Sequence, residues 1–115
     1  MFRSIWKQSL ENKECFYVLL LNRSNKVLGY LLVSIGGVAG TVVDPKIVFQ
    51  AALKANASSV ILAHNHHSGN EKPSEADLQL TKKLKEAGQL LEISVLDHLI
   101  LLSTGCFSFA DEGLI

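Results

Sequence analysis

The stretch that most restricts the fold is Ser59 to Ala63, whose apolar run Val60-Ile61-Leu62-Ala63 stops abruptly at His64-Asn65-His66. A short run without polar alternation predicts a strand buried on both faces. Helical patterns flank it. Upstream, Asp44-Pro45 supplies an N-cap and a first helical residue. From there Ile47, Ala51 and Ala55, with Val48 and Ala52 beside them, make an apolar stripe at helical spacing. Downstream, a polar turn holding Gly69 and Pro73 leads to a second helix opening at Ser74. Leu80, Leu84, Ala87 and Leu91 form its inner stripe, and Gly88 marks its fraying end.

The remaining segments extend this core into a sheet. Cys15 to Leu21 is rich in aromatic and branched residues and reads as a buried strand. The turn cluster Asn22-Arg23-Ser24-Asn25 joins it to a returning strand over Lys26 to Ser34. Gly36-Gly37 and Gly40 break the pattern. Residues 1–13 carry Phe2, Ile5, Trp6 and Leu10 at spacings that suit a short helix. Ile93 to Leu102 is strand-like but interrupted by Asp97-His98; Gly105 turns the chain, and Cys106 to Phe109 suits a last edge strand. The order β-β-α-β-α-β, with a final short strand, predicts an α/β (mixed α+β) domain whose mixed sheet is flanked by helices. His64 and His66 then sit at the carboxyl end of a central strand, where open α/β sheets carry ligands.

The totals bound the function. With 115 residues, 48% of them hydrophobic and 19% charged, residues 1–115 are expected to form one domain around one core. Eleven basic residues balance eleven acidic ones, which gives no electrostatic footprint for nucleic acid or anionic membrane. Cys15 and Cys106 lie far apart in apolar surroundings, so they make no C-x-x-C motif; buried thiols in a reducing cytosol are expected. The N-terminus lacks the apolar segment of a signal peptide, and no apolar stretch reaches the ~18 residues of a membrane span. A cytoplasmic location is the expectation.

The chemistry gathers between Ala63 and Asp77. Two imidazoles one residue apart at a strand end point to the same side. A carboxylate in the first turn of the following helix can return to meet them. Catalytic zinc takes three protein ligands and a water, and His64, His66 and Asp77 satisfy that count. The water would reach a pKa of ~7, and the site would then need a general base and an oxyanion donor. Ser74, one helical turn before Asp77, is the candidate donor. A plainer explanation stands beside this one: Ser74 and Asp77 also form a capping-box pair, and the two histidines suit a polar turn. The two roles of Ser74 are compatible.

These residues resemble a known family. H-x-H, seven residues, Ser, two residues, Asp is the signature of the JAMM (MPN+) metallopeptidases, and His64, His66, Ser74 and Asp77 match it position for position. The segment HNHHSGNEKPSEAD is similar to that of the RadC-like branch, as are LDHLI (Leu96 to Ile100) and the closing FADEGLI. The resemblance runs from about Cys15 to Ile115. It implies a JAB1/MPN fold, related to the cytidine deaminase αβα architecture, with a Zn2+ site for hydrolysis of an amide, peptide or isopeptide bond in a peptide or protein substrate. It also implies a glutamate near the first strand that acts as base. Glu14 occupies that place, with Glu11 as competitor, and both are also explained as solvated acids at a strand entrance.

Three departures accompany the match. His67 stands where the family has proline, and Lys46 where the branch commonly has arginine. Larger members carry a helix-hairpin-helix module upstream; 115 residues leave no room for one, so DNA contact through it is not expected here. His98 beside Asp97 is a further candidate, with the structural reading the stronger one for a lone histidine late in a strand; His67 is read as a turn residue, since a fourth protein ligand would close the open position. A DNA-repair-associated nucleic-acid module and a metal-free interaction domain on the same fold are the alternatives. The contiguous His64-Asn65-His66 is not the dispersed HNH nuclease motif, and the H-x-E and P-C-x-x-C pieces of a nucleotide deaminase are absent.

Overall fold

The computed structural model describes residues 14–36, 43–66, 72–102 and 105–115. The helix expected within residues 1–13, the Gly37–Gly40 break, Glu11, His67 and Gly69 lie outside them. The elements run β1 (Glu14–Leu21), β2 (Val27–Gly36), α1 (Pro45–Lys54), β3 (Ser59–Asn65), α2 (Glu75–Leu90), β4 (Ser94–Leu101) and β5 (Cys106–Ser108). They form a five-stranded sheet in the order β2-β1-β3-β4-β5. Only β3 and β4 are parallel; the other neighbours are antiparallel. The mixed α/β class and the expected order of elements both hold.

Strand β3 is central because its side chains are acceptable on both faces. Val60 and Leu62 join Phe16, Val18 and Leu20 of β1 on the face that α1 and α2 cover through Val48, Phe49, Ala52 and Leu84. Ala63 faces the other way, with Cys15, Leu19, Leu21 and Leu101. Both described helices therefore pack on one face of the sheet.

Helix α1 starts as its sequence predicts: Asp44 Oδ1 accepts from Lys46 N at 2.9 Å, and Pro45 follows. Its buried stripe is shifted, however. Val48, Phe49 and Ala52 face the core, whereas Ile47 is exposed. The large Phe49 ring takes the central place, and a helix rotated to bury it turns Ile47 outward.

Helix α2 departs from expectation at its end. Leu91 is exposed, and Gly88 is a buried helical residue and not a frayed terminus. A Cβ at Gly88 would stand 2.3 Å from the carbonyl oxygen of Ile93. Gly88 O in turn accepts from Ile93 N at 2.8 Å, so the glycine lets the chain fold tightly into β4.

Strand β4 is continuous through Asp97-His98, contrary to the expected interruption. What the sequence hides is a bulge. Val60 pairs with Val95, but Ile61 pairs with Asp97, so Leu96 is an extra residue on β4. One inserted residue reverses the inside–outside alternation beyond it. Val95 and His98 consequently both face the helices, and Asp97 and Leu99 face away. Of the two cysteines, Cys15 is buried as expected, but Cys106 on edge strand β5 is exposed. Among the described residues no helix is long and apolar enough to cross a membrane.

Candidate metal centre

His64 and His66 sit where β3 ends, on the helix-covered face. His64 is buried and stacks on Phe16, the ring centroids 5.9 Å apart and the planes 9° from parallel. His66 and Asp77 are half-buried, so the site opens to solvent on their side. Asp77 reaches the histidines from the first turn of α2. Its Oδ1 lies 3.4 Å from His64 Nε2, its Oδ2 lies 3.2 Å from His66 Nε2, and the two Nε2 atoms are 2.8 Å apart. The capping geometry is also present: Ser74 Oγ accepts from Asp77 N at 3.1 Å, and Asp77 Oδ2 accepts from Ser74 N at 2.8 Å. The capping explanation of this pair therefore holds, and the same Asp77 carboxylate also faces the two histidines.

The donor set passes a simple test for a metal. Ligands ~2.0–2.1 Å from a tetrahedral zinc ion stand ~3.3 Å from one another. The observed separations of 2.8, 3.2 and 3.4 Å, the last two to different oxygens of Asp77, lie near that edge, and one ligand atom from each of His64, His66 and Asp77 falls in a single cluster. Two imidazole nitrogens and a carboxylate are ligands that zinc favours. Burial opposes ionisation of Asp77, but the neighbouring His64 and His66 imidazoles and the Ser74 backbone N–H outweigh it. Its carboxyl is held well below the usual carboxylate range and is ionised at neutral pH.

Glu14 is the first residue of β1, half-buried, and outside the three-residue cluster. Phe16 pairs with His64 across the β1–β3 ladder. Continuing that antiparallel register by two residues sets Glu14 level with His66, and alternation puts both on the same face. Glu14 thus shares the strand face of Phe16 and is not one of the three clustered side chains. Ser74 is exposed at the α2 N-cap, and its oxygen accepts the Asp77 N–H.

Comparison with known proteins agrees with the architecture. A family model described as "RadC-like JAB domain" matches residues 2–114. The chain belongs to the RadC-like JAB domain family. It is 52% identical over 101 residues to a UPF0758 protein of Flavobacterium johnsoniae, which covers 88% of this chain and 44% of that protein. UPF0758 proteins of Pelodictyon phaeoclathratiforme and Porphyromonas gingivalis are 44% and 46% identical, over 91% and 90% of this chain and 47% and 46% of theirs. The chain therefore spans about half the length of the relatives it matches.

Three residues of this RadC-like JAB domain matter to the site more than its sequence suggested. Asn65, the middle of the His64-Asn65-His66 triplet, is fully buried, and its Oδ1 accepts from Cys15 N at 2.7 Å. It ties the start of β1, and so Glu14, to the end of β3. His98, whose structural reading was the stronger one, touches a candidate ligand: its Nε2 lies 2.7 Å from His64 Nδ1. Thr81 Oγ1 lies 2.6 Å from His98 Nδ1 and donates to Asp77 O at 2.8 Å. Burial pushes the His98 imidazole down to about 3, helped by the neighbouring His64 and opposed by Asp77, so the ring is neutral at physiological pH.

A signal for Thr81 was present in the sequence. Ser74, Asp77, Thr81, Leu84 and Gly88 recur at alternating spacings of three and four, so one helix stripe is polar near the site and apolar below it. Nothing comparable marked His98, because its orientation depends on the Leu96 bulge. Lys46, the departure from the family's arginine, lies exposed in the first turn of α1, where its backbone N–H is capped by Asp44.

Proposed function

We propose that this domain is a zinc-dependent hydrolase of the JAMM type that cleaves an amide bond, peptide or isopeptide, in a peptide or protein substrate. The observation that carries the reading is the convergence of His64 Nε2, His66 Nε2 and the Asp77 carboxylate at tetrahedral-edge separations on the solvent-facing side of the strand end. Zinc bound there would polarise a substrate carbonyl and lower the pKa of water to ~7. Glu14, level with His66, would take the proton from the attacking water and pass it to the leaving amine. Ser74 would donate its hydroxyl proton to the oxygen that becomes negative as the carbonyl carbon turns tetrahedral. Asp77, ionised and held by the Ser74 N–H, keeps the base of that hydroxyl in place.

The relatives matched here are about twice as long, so the substrate is a property of the whole protein and is proposed only as a class. The test is metal content together with cleavage. The purified domain is expected to hold close to one zinc per chain and to hydrolyse members of a mixed peptide and isopeptide library. Glu14→Gln is expected to keep the zinc and lose at least ~100-fold in rate. A protein holding only a trace of zinc, unchanged by His66→Ala, would sink the reading.

A further inference from the structure

The polar chain behind His64 runs from Asp77 O through Thr81 and His98, and the assignment of its hydrogens that follows from Thr81 donating to Asp77 O has a consequence that rests on the zinc reading above. The Asp77 carbonyl oxygen can only accept, so the Thr81 hydroxyl 2.8 Å away gives it its single proton. Thr81 Oγ1 must then accept from His98 Nδ1 at 2.6 Å, which puts the ring proton on Nδ1. His98 is fully buried, stacked on Phe109 at 4.5 Å and edge-on to Phe16 at 5.5 Å, a setting that disfavours a charged ring. Its Nε2 therefore carries a lone pair and accepts from His64 Nδ1 at 2.7 Å. His64 is left with its own lone pair on Nε2, the atom that faces His66 and Asp77.

We propose that Thr81 and His98 are positioning residues that lock His64 in its Nδ1–H tautomer, so that Nε2 is presented to a divalent metal ion before the ion arrives. Histidine ligands commonly donate their second ring N–H to a fixed acceptor, and loss of that acceptor weakens metal binding. Here the acceptor is a second histidine whose own proton is fixed by a hydroxyl. The chain also closes on itself. It begins at the backbone oxygen of Asp77, whose carboxylate is another ligand, so one turn of α2 orients two ligands together.

The surrounding fold holds His98 rigidly. The Leu96 bulge turns the ring to the helix face. Asp97 Oδ1 accepts from the backbone N–H groups of His98 and Ala110, and Oδ2 accepts from Ser108 Oγ at 2.7 Å. Phe109 N donates to His98 O at 3.0 Å, which sets the Phe109 ring against the imidazole. The LDHLI and FADEGLI stretches, far from the ligands in sequence, thus converge on the one side chain that orders His64.

The test combines tautomer and affinity measurements. Long-range proton–nitrogen NMR of the metal-free wild type, at a pH where its imidazoles are neutral, is expected to find the ring proton of both His64 and His98 on Nδ1. Competition of zinc against a chromophoric chelator is expected to show ~10–100-fold weaker binding in Thr81→Val and His98→Leu. His98→Gln, whose amide oxygen can reach the Nε2 position, and Thr81→Ser should stay within ~3-fold of wild type, a rescue that lost packing alone would not produce. A proton on His98 Nε2 in the wild type, or unchanged zinc affinity in both Thr81→Val and His98→Leu, overturns the lock alone. Failure of the wild type to bind zinc, with the tautomers as stated, overturns the metal reading and with it the purpose of the lock.

Discussion

Replacing Asp77 with Asn separates the two roles that meet in this one side chain. In the metal-free protein the asparagine oxygen can still accept the Ser74 N–H, so most of the capping geometry survives. What is lost is the negative charge near a helix N-terminus, worth roughly 0.3–1 kcal/mol, together with its attraction to His64 and His66, so metal-free stability should fall by more than the helix term alone. Zinc binding should suffer far more. If roughly 10–16 kcal/mol of binding is shared over four ligands, one ligand contributes about 3 kcal/mol, or about 100-fold in affinity. Free zinc at 100 times the wild-type dissociation constant should then stabilise the wild type by about 2.7 kcal/mol and the variant by about 0.4 kcal/mol. Urea unfolding with and without buffered zinc reads both numbers in one experiment. Equal zinc stabilisation of the two proteins would refute the assignment of Asp77 as a ligand.

Other perturbations probe neighbouring parts of the account. Ser74→Ala should lose about 1 kcal/mol of stability with its cap, whereas Ser74→Asp should restore the stability but not turnover, because it caps without a proton to donate; turnover in Ser74→Asp equal to wild type would remove Ser74 from the chemistry. Gly88→Ala should destabilise by roughly 1–3 kcal/mol despite the better helix propensity of Ala, since its Cβ would lie 2.3 Å from Ile93 O; a neutral or raised melting temperature would contradict the tight α2–β4 junction. The metal-free protein should lose stability as pH falls below the unfolded-state histidine value of ~6.5 towards the His98 value of about 3, because the unfolded chain takes up a proton that folded His98 refuses. Between pH 7.5 and 5 that amounts to about 2 kcal/mol in chemical denaturation, and a flat profile would show that His98 titrates normally.

Sequence carried the fold far because its signals are local. The apolar run of β3, the Asp44-Pro45 start of α1 and the Ser74 cap of α2 each act within a few residues, and each stands where expected. The meeting of His64, His66 and Asp77 was legible for a similar reason: a strand end and a helix start lie within fourteen residues, His64 through Asp77. What stayed hidden depends on distant partners. The face of His98 is set by a one-residue slip against β3, and a bulge leaves no mark in the composition of β4. Ile47 and Leu91 fit an apolar stripe by spacing, but the Phe49 ring and the tight turn at Gly88 decide which side of each helix is buried. Gly88 itself looks like a helix terminator in the sequence, and only the approach of Ile93 reveals it as a contact.

The most direct measurement is a crystal structure of the zinc-loaded domain with anomalous data collected at the zinc edge. The account predicts one peak about 2.0–2.2 Å from His64 Nε2, His66 Nε2 and an Asp77 carboxylate oxygen, with a non-protein fourth position that Glu14 faces. A peak elsewhere, a fourth protein ligand closing the site, or His64 bound through Nδ1 with His98 turned away would contradict it.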